Sequence, residues 1–424
     1  MICVSTRGKA PAVSFRQAVV AGLAPDGGLY VPQTIPRLSD TWWARQRGRS
    51  FQDLAVAIAE EIAGDEFTHG VLESIVRDAL NFPVPIVELG QGLHVVELFH
   101  GPTFAFKDFG ARTLARLMAH LHDGAGTITV LVATSGDTGG AVAHAFHNVP
   151  GTRVVVLYPE GQVSDVQEAQ FTTLGGNVRA VAVRGTFDDC QRLAKEAFAD
   201  PTLQARARLT SANSISLGRL IPQTFYYAYT ALQSAGPPLS VPSGNFGNLV
   251  AGVIATKLGA PIEGFSAPTT INDTFPRYLA TGRVEPRPSV TTLANAMDVG
   301  NPSNLERLRW LFSDDLQAMR GAIASSPHAD ADVRRAIGEL HDQFGYVADP
   351  HTAIAFLGTR HATATRHEAR GTFFSTAHPA KFRDVVEGVI KTRVQLPDAL
   401  AAALARKKVA DRIAPALGEL GDLL

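Results

Sequence analysis

The chain has 424 residues, 45% hydrophobic and 19% charged, with 39 Lys and Arg against 40 Asp and Glu for a formal net charge of −1. That length supports two or three packed domains rather than one core, and the balanced charge argues against a face for nucleic acid. No apolar run approaches the roughly 20 residues that span a bilayer, and two cysteines, Cys3 and Cys190, cannot build a disulfide framework or a multi-thiolate metal site. The start, Met1-Ile2-Cys3-Val4-Ser5-Thr6-Arg7, lacks a signal-peptide pattern. A cytoplasmic protein with a small-molecule partner is expected.

Residues 1 to about 90 read as mostly helical and peripheral. Phe15-Arg16-Gln17-Ala18-Val19-Val20 leads into the turn Pro25-Asp26-Gly27-Gly28. Leu54, Ile58 and Ile62 then share one face of a helix over 51–63. From about residue 95, short β-branched runs alternate with longer helical segments. Strands are expected over 128–132, 153–157, 178–183, 239–241 and 265–267. Such alternation predicts parallel sheets covered on both faces. Gly236-Pro237-Pro238 marks a crossing between two α/β halves. The expected organisation is an N-terminal extension over 1–95, a first α/β domain over 96–235 and a second over 236–424. The tail from Leu396 reads as a helix, and Arg406-Lys407-Lys408 as a solvated face.

The eight lysines are Lys9, Lys107, Lys195, Lys257, Lys381, Lys391, Lys407 and Lys408. Unlike arginine, lysine offers an amine that becomes neutral and nucleophilic near pH 7. Lys107 stands in His100-Gly101-Pro102-Thr103-Phe104-Ala105-Phe106-Lys107-Asp108-Phe109-Gly110, among three phenylalanines. Burial there lowers its pKa, which is what a Schiff-base lysine needs. Lys195, Lys391, Lys407 and Lys408 fall on amphipathic or polar helices, Lys9 in a flexible start and Lys257 near a helix end. Lys381 is the one competitor. The plain alternative for Lys107 is an ammonium that snorkels out of a helix start beside Asp108.

Two glycine loops follow strands. In Val241-Pro242-Ser243-Gly244-Asn245-Phe246-Gly247-Asn248-Leu249, Gly244 and Gly247 let several amides converge, and Ser243, Asn245 and Asn248 add donors. With a helix start behind it, this is a cradle for a phosphate monoester or, more plainly, a βα turn. It lacks the lysine of a nucleoside-triphosphate loop and does not match the dinucleotide G-x-G-x-x-G pattern. In Thr134-Ser135-Gly136-Asp137-Thr138-Gly139-Gly140 the acidic Asp137 repels a phosphate. Ser135, Gly136 and Thr138 suit a substrate carboxylate instead, unless Asp137 merely caps the helix. Phe373-Phe374-Ser375-Thr376-Ala377-His378-Pro379-Ala380-Lys381-Phe382 is a buried strand with a polar end. A hydroxyl there can bond a pyridine nitrogen without protonating it, with His378 and Lys381 adding charge; a solvated strand end is the alternative. His144 and His147 read as helix residues, and no metal site is expected.

As an ordered set, these motifs resemble the threonine synthases of the branch with an N-terminal extension. The resemblance runs from Gly22-Leu23-Ala24-Pro25-Asp26-Gly27-Gly28-Leu29-Tyr30-Val31-Pro32 to Ser375-Thr376-Ala377-His378-Pro379-Ala380-Lys381-Phe382. It passes through the Lys107 and Asp137 segments, Ser211-Ala212-Asn213-Ser214-Ile215 and Ala294-Asn295-Ala296-Met297-Asp298-Val299-Gly300-Asn301-Pro302-Ser303-Asn304. Ser216 departs from the family's asparagine. The resemblance implies two parallel-sheet α/β domains of the tryptophan-synthase-β kind (fold type II of the pyridoxal-phosphate enzymes), a mainly helical N-terminal extension, and pyridoxal 5'-phosphate between the domains. It implies that Lys107 forms the Schiff base, that the 243–248 loop (Ser243, Gly244, Asn245, Phe246, Gly247, Asn248) holds the cofactor phosphate, and that Thr376, ahead of Ser375, bonds the ring nitrogen. The implied reaction converts O-phospho-L-homoserine and water to L-threonine and phosphate by γ-elimination and β-addition. Arg219, Lys381, Asn301 and Asn304 are the expected residues for the departing phosphate. A phospho-lyase or amino-acid dehydratase using the same cofactor is the alternative, and a non-catalytic phospho-ligand sensor a remote one. A monomer or small homo-oligomer is expected.

Overall fold

The computed structural model describes every residue except 123, 125, 234–237 and 367–369. Five strands pair as one all-parallel sheet in the order Asp411–Ile413, Val178–Val183, Thr152–Pro159, Ile128–Ala133, Leu209–Ser211. Ile128–Ala133 is buried at every position. A strand covered on both faces has no polar side to alternate with, hence its unbroken apolar sequence.

A second sheet has six strands in the order Ile323–Ala324, Phe265–Ser266, Leu239–Ser240, Gly371–Ser375, Leu93–Glu97, Ile86–Gly90. All neighbours are parallel except the last pair. Sheet membership ignores the expected cuts at 95/96 and 235/236. Leu93–Glu97 straddles the first cut and pairs with Gly371–Ser375, while Asp411–Ile413 returns to the edge of the five-stranded sheet. Parallel partners are joined by long crossovers, so sequence neighbourhood does not fix them. Gly236 and Pro237 of the expected crossing lie outside the described residues.

The first 90 residues are mainly helical, with one addition: Ile2–Ser5, Val13–Ser14 and Tyr30–Pro32 form a small antiparallel sheet. Helix Phe51–Ala63 starts at Ser50, whose hydroxyl accepts the Asp53 N–H, and it buries Leu54, Ile58 and Ile62. Such a cap contributes about 1 kcal/mol. The extension is not peripheral. Phe51 packs edge-on against Phe109 at 5.7 Å and Tyr229 at 5.5 Å, inside the largest core. At the other end, Asp398–Leu404 is the expected tail helix. Arg406 and Lys407 are exposed, but Lys408 pairs with Asp165 at 3.0 Å and Glu168 at 2.6 Å, so it belongs to a tertiary contact rather than a solvated face. Among the described residues no helix is long and apolar enough to cross a membrane.

Three adjacent strands of the six-stranded sheet, Leu239–Ser240, Gly371–Ser375 and Leu93–Glu97, run the same way. The segments leaving their carboxyl ends therefore emerge along one edge: the 243–248 loop, Thr376, and the chain leading to Lys107. Open parallel sheets bind ligands at such edges.

Candidate active site

Lys107 opens helix Lys107–Leu121. The chain before it is pinned to the strand exit: Phe106 N donates to Thr376 O at 2.9 Å and His378 N to Phe104 O at 3.1 Å. These bonds hold Phe104 at φ 57°, a left-handed conformation that bulky side chains disfavour. The Lys107 side chain is 13% exposed, with Nζ 3.8 Å from Asp137 and 4.8 Å from the Phe106 ring. Phe104 instead packs on His378, and Phe109 on Tyr226 in the core. Asp108 faces away, accepting from Thr103 N at 2.8 Å and its hydroxyl at 2.7 Å. The ammonium therefore neither snorkels into solvent nor rests on Asp108.

Burial pulls the Lys107 pKa down to about 8; Asp137 opposes the shift and the Lys381 charge adds to it. Capture of an aldehyde requires the free amine. Followed by visible absorbance, cofactor uptake by the apoprotein is expected to accelerate through pH about 8 and level off well short of the ordinary 10.5. A rise continuing to 10.5 would mark an unperturbed lysine. Linkage gives a second sign: between those two values the unfolded chain binds a proton that the fold does not, so apoprotein stability gains from this group as pH rises through that window.

Asp137 is the first residue of helix Asp137–Phe146, and Gly136 occupies the cap position, so Asp137 is not the cap. At Gly136, φ is 137° and a Cβ would lie 2.5 Å from the Gln167 side chain. The Asp137 carboxylate receives Lys381 Nζ at 2.6 Å and Gln167 Nε2 at 2.8 Å. Burial alone would raise its pKa, but the Lys381 and Lys107 charges hold it well below the usual carboxylate range. Lys381, fully enclosed, also donates to Thr103 O at 3.0 Å. The competitor for the aldehyde is thus a fixed ammonium. Thr134 Oγ1 accepts from Gly136 N and Gly139 N. The N–H groups of Ser135, Asp137 and Thr138 have no acceptor among the described residues. Burial holds the His378 pKa at about 4, so this ring is neutral at pH 7 and adds no charge, contrary to expectation.

In the 243–248 loop the side chains expected as donors brace the loop itself. Ser243 Oγ donates to Val241 O at 2.9 Å, Asn248 Nδ2 to Pro242 O at 2.9 Å, and Asn245 Nδ2 to Ser214 Oγ at 2.6 Å. The available donors are the main-chain N–H groups of Gly244, Asn245, Phe246, Gly247 and Asn248, which have no acceptor among the described residues. They lie at and just before the start of the 11-residue helix Gly247–Lys257. Gly244 is obligatory here, since a Cβ would lie 2.6 Å from Met297 Cα. Unpaired amides at one strand end, together with a lysine whose pKa burial lowers to about 8 on the chain leaving another strand of the same sheet, suit a phosphorylated aldehyde.

Ser375 Oγ shares a 2.8 Å hydrogen bond with Thr352 Oγ1, whereas the Thr376 hydroxyl has no partner among the described residues. Thr352 belongs to a buried network that sequence reading missed, in which Asp349 also takes His351 Nδ1 at 2.6 Å. The signal was present: an Asp followed by Pro350 at a helix start is a capping pattern.

Of the four residues expected for the departing phosphate, three are hydrogen-bonded to protein groups and Asn301 is exposed. The buried Arg219 Nε has no hydrogen-bond partner among the described residues, and the Arg219 charge bears on Lys107. Arg219 Nη1 donates to Ala212 O at 2.6 Å, Asn304 is bonded to Arg307 and Ser214, and Lys381 is held by Asp137. No hydrogen bond or ion pair joins any two of them among the described residues.

Three family profiles tile the chain: Threonine synthase N terminus over residues 3–80, Pyridoxal-phosphate dependent enzyme over 82–374, and Threonine synthase, C-terminal over 352–421. Threonine synthase of Escherichia coli K12 is 42% identical over 396 residues, covering 92% of this chain and 91% of that protein. That of Serratia marcescens is 40% identical over 419 residues, covering 97% and 96%. Among solved structures, threonine synthase from Escherichia coli superposes with a TM-score of 0.94 at 39% identity, covering 100% of this chain and 99% of that one. A PLP-bound threonine synthase from Brucella melitensis gives 0.93 at 34%, covering 100% and 98%. By matched domains, near-complete coverage and shared architecture, the chain belongs to the threonine synthase family of pyridoxal-phosphate enzymes.

Proposed function

We propose that Lys107, the main-chain amides of 244–248 and the Thr376 hydroxyl hold pyridoxal 5'-phosphate, and that the 135–138 loop (Ser135, Gly136, Asp137, Thr138) receives the carboxylate of O-phospho-L-homoserine. The enzyme is a pyridoxal-phosphate-dependent lyase that converts this substrate and water to L-threonine and phosphate. The observation that carries the site assignment is the delivery of an amine, an amide cradle and a hydroxyl by three adjacent parallel strand ends.

When bound, the cofactor supplies the electron sink that acidifies the C–H bonds of the attached amino acid. Lys107 would anchor the aldehyde, and its Nζ, when not so engaged, would accept the α proton of the substrate and serve next at the β carbon. Asp137, 3.8 Å away, favours the protonated amine between these transfers, while Lys381 keeps that carboxylate in place. Unpaired N–H groups at Ser135, Asp137 and Thr138 orient the substrate carboxylate at a helix start. Thr376 Oγ1 would donate to the ring nitrogen, which leaves that nitrogen without a full positive charge. Phosphate leaves the γ carbon, and water adds at the β carbon. The proposed setting is the cytoplasm, with no nucleic-acid or membrane partner, in keeping with a net charge of −1.

Product analysis tests the reaction. Incubated with O-phospho-L-homoserine, the holoenzyme is expected to release phosphate and L-threonine in equal amounts. Phosphate accompanied by 2-oxobutanoate and ammonia would identify a lyase or dehydratase, and a cofactor-bearing protein inert to phospho-amino acids would identify a sensor.

A further inference from the structure

Arg307 has no role in the site described so far. It is fully buried on helix Leu305–Leu311. Every contact of its guanidinium is with a neutral acceptor: Nε and Nη2 reach Tyr30 O at 3.0 and 2.9 Å, Nη2 reaches Ile215 O at 2.6 Å, and Nη1 reaches Asn304 Oδ1 at 2.8 Å and Ser214 O at 3.4 Å. The adjacent carboxylate, Glu306, turns instead to Thr6 and Arg7. A buried cation without a paired anion is costly, and a counter-charge brought near it would offset part of that cost.

The partners of Arg307 border the 243–248 loop. Ser214 Oγ takes the Asn245 amide at 2.6 Å, Ser303 N donates to Asn245 Oδ1 at 2.6 Å, and Asn304 Nδ2 lies 3.4 Å from where a Gly247 Cβ would be. That loop contains no lysine or arginine, so its own residues meet an anion with dipoles alone. Lys107 and Lys381 both gather at Asp137. On the far side, Tyr30 belongs to the strand that pairs with Ile2–Ser5.

We propose that Arg307 is a positioning residue for the cofactor phosphate: its charge, one contact behind the 243–248 loop, offsets the bound dianion, and its bonds to Tyr30 transmit that occupancy to the N-terminal extension. The proposal rests on the assignment of that loop to the cofactor phosphate. In a low-dielectric interior a charge acts beyond its own contacts. Burial lowers the Arg307 pKa to about 9, so the group still carries its charge at pH 7. Coupling of this kind is reciprocal: a phosphate that steadies Arg307 also steadies what Arg307 holds.

The test compares apoprotein affinity for pyridoxal 5'-phosphate and for pyridoxal, which lacks the phosphate, in wild type, Arg307→Gln and Arg307→Lys. Arg307→Gln is expected to weaken the phosphorylated aldehyde by about tenfold or more while leaving pyridoxal nearly unchanged. Arg307→Lys, which retains the charge, is expected to restore most of the discrimination. Equal weakening of both aldehydes, or unchanged discrimination, would overturn the proposal. A wild type that binds both equally would instead defeat the loop assignment. If Arg307→Gln does not fold, limited proteolysis of wild type decides: pyridoxal 5'-phosphate, and not pyridoxal at equal occupancy, should slow cleavage within residues 1–32, and equal protection by both overturns the coupling.

Discussion

Lys107→Ala is expected to lose the borohydride-reducible link to the cofactor and to lower turnover by about 10³-fold or more, the upper range for a positioned proton-transfer group. No other amine can replace it locally, because Lys381 is bonded to Asp137 and Thr103 and has no exposed side-chain surface. The fold should survive. Alanine is a good helix residue, and its introduction removes a buried ammonium whose nearest carboxylate already has Lys381 at 2.6 Å. The apoprotein should therefore melt no lower than wild type, which separates lost chemistry from lost structure. Lys107→Arg should fail equally, since guanidinium stays charged and does not attack a carbonyl. Peptide mapping of the reduced holoprotein is the decisive measurement. A pyridoxyl label at Lys381, or an undiminished label in Lys107→Ala, would end the assignment.

The largest stability effect is expected at Asp137. Asp137→Ala strands the Lys381 ammonium in a fully buried position with one remaining partner, the Thr103 carbonyl. Breaking one side of a buried pair typically costs about 3–5 kcal/mol. Lys381→Met should cost less, because Lys107 stays within 3.8 Å of the carboxylate and moves its proton balance toward the ammonium. The double substitution should recover part of the loss, with a coupling of about 1–3 kcal/mol. Denaturant unfolding of the four apoproteins measures the cycle. A cost near zero for Asp137→Ala would mean that water reaches this pair in solution.

Much of this was legible in the chain because it depends on local order. Helix Phe51–Ala63 and strand Val178–Val183 match their expected bounds, since a serine cap and a short valine-rich run act over a few residues. Lys107 stood out because lysines are few and, Lys381 apart, the others fell in solvated contexts; five of those, Lys9, Lys195, Lys257, Lys391 and Lys407, are exposed. What escaped is non-local. Nothing near Leu93–Glu97 announces Gly371–Ser375 as its partner, and nothing near Asp137 announces Lys381. Arg307 sits in Leu305-Glu306-Arg307-Leu308-Arg309, which reads as a surface helix, yet chain segments at Tyr30 and Ser214 bury it. The 243–248 loop was found by its glycines, but its amide side chains looked like ligands when they are the struts that leave the backbone free.

The late strand Asp411–Ile413 has a consequence for biosynthesis. It closes the edge of the five-stranded sheet beside Val178–Val183, with Arg179 paired to Asp411 at 2.6 Å and Lys408 anchoring its approach. During translation that edge stands open until Asp411–Ile413 has left the ribosome. A bare row of apolar residues with unpaired backbone groups invites another nascent chain to add a strand. Termination before Asp411 thus yields a product prone to cluster with its own kind, although every residue proposed for the catalytic cleft has already been made.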